Sequence, residues 1–195
     1  MRIGILGGTF DPPHFGHVKL AEAAISALDL DEVILLPANI NPFKQKQRIT
    51  SARDRIAMTQ LLQKKDPKLS FSDMEITRGG VSYTVDTLGE LQMVHPGEYW
   101  FILGADAIGN FLEWKNPQRI LRLCRLAVAI RPPINKDDLQ LELPEEFRDK
   151  IDVIEMTATN ESSSTIRDRV IRDLPIQNMT TPEIVTYIRN NKLYK

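Results

Sequence analysis

Apolar residues come in short bursts along this chain, and their spacing differs from burst to burst. Residues 2–6 (Arg-Ile-Gly-Ile-Leu) read as a short buried strand that Gly7-Gly8 ends. Val18, Leu20, Ala21, Ala24, Ile25 and Leu28 recur instead at helical intervals and predict a helix over 15–28. Val33-Ile34-Leu35-Leu36, closed by Pro37, is a second buried strand. This β-loop-α-β order is the signature of a right-handed parallel crossover.

The pattern repeats less cleanly further on. Residues 39–49 are mostly polar, contain Pro42 and predict a loop. Ser51 with Asp54 forms a capping arrangement, and Ile56, Met58, Leu61 and Leu62 carry a helix to about Lys64. A strand is expected over 69–74, a helix over 84–94, and a strand over 98–103 that Gly104 ends. Asn116-Pro117 opens a helix to about Leu123, with proline in its first turn. Residues 125–130 form a strand ended by Pro132-Pro133, 135–150 a polar surface excursion, and 151–156 the last strand. Two helices follow, over 162–172 and from Thr181-Pro182-Glu183 to about Asn190. The alternation predicts an α/β fold: a doubly wound, mostly parallel sheet with helices on both faces. A single domain spans 1–195, with a C-terminal helical portion from about 162. Ligands of such sheets sit beyond the strands' carboxyl ends, where the loops at Gly7, Pro37, Gly104 and Arg131 should meet.

Composition adds boundaries rather than chemistry. The 195 residues are 42% hydrophobic and 26% charged, an ordinary globular balance. A net charge of -1 supplies no global basic field, so no nucleic-acid partner is expected. No segment approaches the roughly 20 apolar residues that span a bilayer, and the first strand is too short for a signal peptide. Cys124, the single cysteine, sits in an apolar run and predicts a buried thiol. A reducing, cytoplasmic setting fits these features.

Chemistry concentrates in Gly7-Gly8-Thr9-Phe10-Asp11-Pro12-Pro13-His14-Phe15-Gly16-His17. Two glycines let the backbone approach a ligand, and successive N–H groups at a helix start make an anion pocket. His14 and His17 hold two of the chain's three histidines and face one direction from the helix entry. The run is neither a Walker loop nor a dinucleotide fingerprint, since Lys-Ser/Thr and G-x-G-x-x-G are absent. Asp11 is the only neighbour suited to join the histidines on a metal, so no protein-ligated metal is expected. Ser162-Ser163-Ser164-Thr165-Ile166-Arg167 opens a helix with hydroxyls, N–H groups and a guanidinium, a second anion site. Asp106, after Gly104, serves either as a ribose acceptor or as a helix cap. Trp114 serves either as core or as a stacking surface in the cleft. Gly79-Gly80-Val81-Ser82-Tyr83-Thr84 either binds an anionic substrate group or caps a helix. Among Lys44, Lys46 and Arg48, Lys44 is the choice to reach phosphates, while a solvated basic loop suits the other two.

Together these residues resemble a known family. Residues 7–17, His-x-Gly-His included, look like the first signature of the nucleotidyltransferase superfamily, and residues 162–167 look like its second. Arg78-Gly79-Gly80-Val81-Ser82-Tyr83-Thr84-Val85-Asp86-Thr87-Leu88 is similar to a stretch of bacterial nicotinate-nucleotide adenylyltransferases. So are Phe101-Ile102-Leu103-Gly104-Ala105-Asp106 with Trp114, and Leu36-Pro37-Ala38-Asn39 with Lys44. The resemblance implies adenylyl transfer from ATP to nicotinate mononucleotide, giving deamido-NAD and pyrophosphate. It implies His14, His17, Lys44 and Arg167 in catalysis. Gly8, Thr9, Phe10, His17, Gly104, Asp106, Ser163, Ser164 and Arg167 would bind ATP. Thr84, Trp114 and Lys44 would bind the second substrate, and Mg2+ would arrive with ATP. Phe43 and Lys115 depart from the family's usual histidine and tyrosine. The alternatives are transfer to nicotinamide mononucleotide or phosphopantetheine, or a non-catalytic nucleotide-binding regulator. A homodimer stays open.

Overall fold

The computed structural model describes residues 1–44, 49–130, 144–157 and 161–195. Lys46, Arg48, Arg131, Pro132-Pro133 and much of the expected polar excursion therefore lie outside the described residues. Six strands form one all-parallel sheet in the order β3-β2-β1-β4-β5-β6. They are β1 (Arg2–Gly8), β2 (Glu32–Pro37), β3 (Leu69–Phe71), β4 (Glu98–Gly104), β5 (Arg125–Ile130) and β6 (Ile151–Glu155). The helices among the described residues are α1 (Phe15–Leu28), α2 (Ala52–Gln63), α3 (Met74–Arg78), α4 (Thr84–Val94), α5 (Ala105–Ile108), α6 (Pro117–Leu123), α7 (Glu145–Arg148), α8 (Ser163–Ile171) and α9 (Pro182–Asn190). A 3-10 turn covers Phe111–Glu113.

Side chains alternate across the strands, and this divides the core in two. Ile34, Leu36, Tyr99, Phe101 and Leu103 face Val85, Leu88 and Leu91 of α4 and Ile120 and Leu121 of α6. Val33, Leu35, Trp100 and Ile102 face Val18, Ala21 and Ala24 of α1, Met58 and Leu62 of α2, Ile166 of α8 and Ile184 of α9. Both faces of the sheet are thus covered, as an all-parallel sheet requires. Strand order reverses between β1 and β4, which pair from Arg2 with Glu98 to Ile5 with Phe101. That reversal is the topological switch point where such folds place their ligands.

The strand expected over 69–74 is a correction: it stops at Phe71, and Met74 begins α3. The Ser72 amide makes the last bond towards β2, at 3.1 Å to the Leu35 carbonyl. Asp73 then breaks the apolar alternation, and the Ser72 hydroxyl accepts from the Met74 amide. Gly79 and Gly80, at φ 74° and 68°, end α3 in backbone that a side chain would strain. Cys124 is buried as expected, and burial pushes its thiol up to about 12.

Candidate active site

Residues 9–15 run as a turn from β1 into α1, and most of its carbonyls are claimed by distant side chains. Arg55 Nη1 donates to the Thr9 carbonyl at 2.9 Å. Arg167 Nη1 donates to that of Asp11 at 2.7 Å, and Ser163 Oγ to that of Pro12 at 2.8 Å. Thr180 Oγ1 takes the Pro13 carbonyl at 2.9 Å. The Phe15 amide donates to the Met179 carbonyl. With its acceptors turned into the protein, the turn is left to offer donors to a ligand, the polarity a phosphate needs.

Arg55 was not legible as part of this region. It is 1% exposed and bridges three segments, donating also to the carbonyls of Ala38 at 2.7 Å and Thr50 at 3.1 Å. A flat guanidinium with five donors suits such a fan of acceptors; a lysine ammonium does not.

The histidines stack beside the turn, their ring centroids 3.8 Å apart. The His14 amide donates to His17 Nδ1 at 3.1 Å. Nδ1 is then an acceptor, so the proton of neutral His17 sits on Nε2. Burial first, then the adjacent His14 and Lys44, hold His17 well below the usual imidazole range. His17 is therefore neutral near pH 7, with Nε2–H as its one ring donor. Gly16 is required between them: a Cβ there would lie 2.9 Å from His14 Cε1 and Nδ1.

Burial also lowers His14 to about 4, against a weaker opposing pull from Glu161. A histidine kept neutral by the fold binds protons more readily when unfolded. Its stabilisation is complete above the unfolded value near 6.5 and is lost as pH falls towards 4. The difference in melting temperature between the protein and its His14→Gln variant should accordingly shrink from pH 7.5 to pH 4. Thermal melts across that range check it, and a constant difference would exclude burial of neutral His14.

A cleft of about 570 Å³ opens at the switch point, within the usual range for small-molecule sites. Gly8, Thr9, Phe10, His17, Lys44, Ser163 and Arg167 line one part of it. Tyr83, Thr84, Phe101, Trp114 and Lys115 line another, and Leu103 and Gly104 at the end of β4 complete the wall. Trp114 is half-buried, edge-on to Phe101 at 5.6 Å and 6.5 Å from exposed Phe43, so it is core on one side and cleft on the other. Lys115 Nζ pairs with Asp86 at 2.9 Å and lies 4.5 Å above the Tyr83 ring.

Three expected site residues stand elsewhere. His14 sits behind His17, with Nδ1 buried and unpartnered. Asp106 is exposed in the first turn of α5. Ser164 is exposed, its hydroxyl 2.9 Å from that of Ser162. Conversely, Glu75 lines the cleft although the sequence did not single it out. Burial raises its carboxyl, which accepts from Thr87 Oγ1 at 2.5 Å.

The cytidylyltransferase-like family model matches residues 5–169. A probable nicotinate-nucleotide adenylyltransferase of Moorella thermoacetica is 40% identical over 100% of this chain and 92% of its own length. Its namesake from a Thermoanaerobacter species is 36% identical over 100% of this chain and 95% of its own. The chain belongs to the nicotinate-nucleotide adenylyltransferase family. The fold agrees: nicotinic acid mononucleotide adenylyltransferase of Plasmodium falciparum, solved in complex with NaAD, superposes with a TM-score of 0.80 at 21% identity, covering 99% of this chain and 97% of that one. In this adenylyltransferase-family chain the matched region includes both signature segments, residues 7–17 and 162–167.

Proposed function

We propose that the protein transfers the adenylyl group of ATP to nicotinate mononucleotide, releasing deamido-NAD and pyrophosphate. The carrying observation is one cleft that joins a turn whose carbonyls at Thr9, Asp11, Pro12 and Pro13 are engaged by the protein to an aromatic wall. Donors from Gly8, Thr9, His17, Lys44 and Arg167 and the backbone amide of Ser163 suit the triphosphate. Gly104 suits the adenosine; Thr84 and Trp114 suit the nicotinate end.

In this reading a phosphate oxygen of the mononucleotide attacks the α-phosphorus. The new P–O bond forms as the bond to the β-phosphate bridging oxygen breaks, and pyrophosphate departs with that electron pair. The acceptor is already anionic, so no general base is needed. The protein's contribution is positioning and charge stabilisation. Neutral His17 meets the developing charge through Nε2–H, and Lys44 and Arg167 supply full positive charge.

Among the described residues no group of three or more His, Cys, Asp or Glu could hold a metal. Asp11 is engaged by the Thr50 amide and the Tyr194 hydroxyl. In the proposed reaction Mg2+ would arrive with the triphosphate and would neutralise part of its charge. A cytoplasmic location accords with the lone buried thiol. No described helix is long and apolar enough to cross a membrane.

Pyrophosphate release from Mg-ATP decides between acceptors. Release is expected with nicotinate mononucleotide, at least tenfold faster than with nicotinamide mononucleotide or phosphopantetheine. A faster rate with either of those would reassign the substrate, and no release with any would favour a nucleotide-binding regulator.

A further inference from the structure

The last residues of the chain double back onto the turn. Tyr194 Oη donates to Asp11 Oδ1 at 2.7 Å, across 183 positions of sequence. The other oxygen of that carboxylate accepts from the Thr50 amide at 3.1 Å. Arg55 and Asp11 attract one another, and burial, then the same carboxylate, raise the Tyr194 phenol. Lys192 and Tyr194 hold left-handed backbone, φ 51° and 65°, a region that favours glycine and strains other residues. The Leu193 amide is fixed to the Ile188 carbonyl at 3.0 Å, and the Leu193 side chain packs on the core. Backbone of this kind persists only where its surroundings dictate it.

We infer that Tyr194 is a positioning residue: its hydroxyl latches Asp11 and so holds the turn in register. Arg167 and Ser163 grip the carbonyls of Asp11 and Pro12, while the Asp11 carboxylate is hydrogen-bonded by Tyr194 and Thr50 and attracted by Arg55. Without the phenol, one carboxylate oxygen loses its partner and the turn gains freedom at the residue between Phe10 and the histidines. The consequence for turnover rests on the adenylyl-transfer reading; the consequence for the turn does not.

Two measurements on full-length Tyr194→Phe keep these apart. Amide hydrogen exchange over residues 8–17, in the absence of any substrate, should quicken about tenfold, with exchange in β4 and β5 unchanged. Tyr187→Phe is the matched control, because Tyr187 Oη bonds Asp54 on α2 at 2.9 Å instead of the turn. It should leave exchange over 8–17 at the wild-type rate. In the transfer assay, Tyr194→Phe should lower kcat about tenfold while KM for the mononucleotide stays within twofold, and Asp11→Asn should not be additive with it. Unchanged exchange over 8–17 in Tyr194→Phe, or equal acceleration in Tyr187→Phe, would overturn the inference whatever the substrate proves to be. Faster exchange with wild-type kcat would confine the latch to structure and overturn its link to turnover.

Discussion

Replacing His17 with alanine should lower kcat by about 10²–10³-fold, the loss typical of removing one pre-aligned donor to developing charge. KM for nicotinate mononucleotide should change by less than about threefold, because the ring stands with the turn rather than with the Trp114 wall. The split follows from the local geometry. His17 Nδ1 is held by the His14 amide, so Nε2–H points its proton with little freedom to reorient. The ring needs no protonation to act, since burial keeps it neutral. With respect to His17 the rate should therefore be level from pH 6 to 8 and fall only in acid, where protonated Nδ1 no longer accepts from the His14 amide. Steady-state pyrophosphate release across pH checks both parts. Near-normal turnover in His17→Ala would remove this residue from the mechanism.

The second large effect belongs to a residue that touches no proposed reacting atom. Arg55→Met should destabilise the fold by about 3 kcal/mol, because the carbonyls of Thr9, Ala38 and Thr50 lose a charged donor in a buried setting. For a chain of this size that is a fall of roughly 6–12 °C in Tm. Arg55→Lys should recover less than half of it, since one ammonium cannot span acceptors fanned around a planar group. Calorimetric melts decide it. A loss below about 1 kcal/mol in Arg55→Met would mean that water replaces the guanidinium readily.

Much of this architecture could be read from the chain because the relevant signals are local. The strand at residues 33–36 shows as an apolar run, α9 as a Thr-Pro cap, and the phosphate turn as eleven consecutive residues. What escaped reading is assembled from a distance. Arg55 looks like any charge on an amphipathic helix, since its partners are backbone carbonyls that leave no trace in residue type. Tyr194 is similarly mute. Short pieces failed for another reason: α3, α5 and Phe111–Glu113 are too brief to show a period, so the Leu-Ser-Phe start at 69 was extended through Met74. Contiguity also misled, since Ser164 stands beside Ser163 in sequence and faces solvent in the structure. Trp114 could not be divided between core and cleft from spacing, because it belongs to both.

The grip on the turn has a consequence for synthesis. Residues 7–17 leave the ribosome long before Ser163, Arg167, Thr180 and Tyr194, which hold them. A nascent chain that has just completed β6 possesses the whole glycine-histidine segment with four of its anchors still unmade. The segment is thus made well before it can be set, and the turn gains its full set of anchors only once residue 194 has been added.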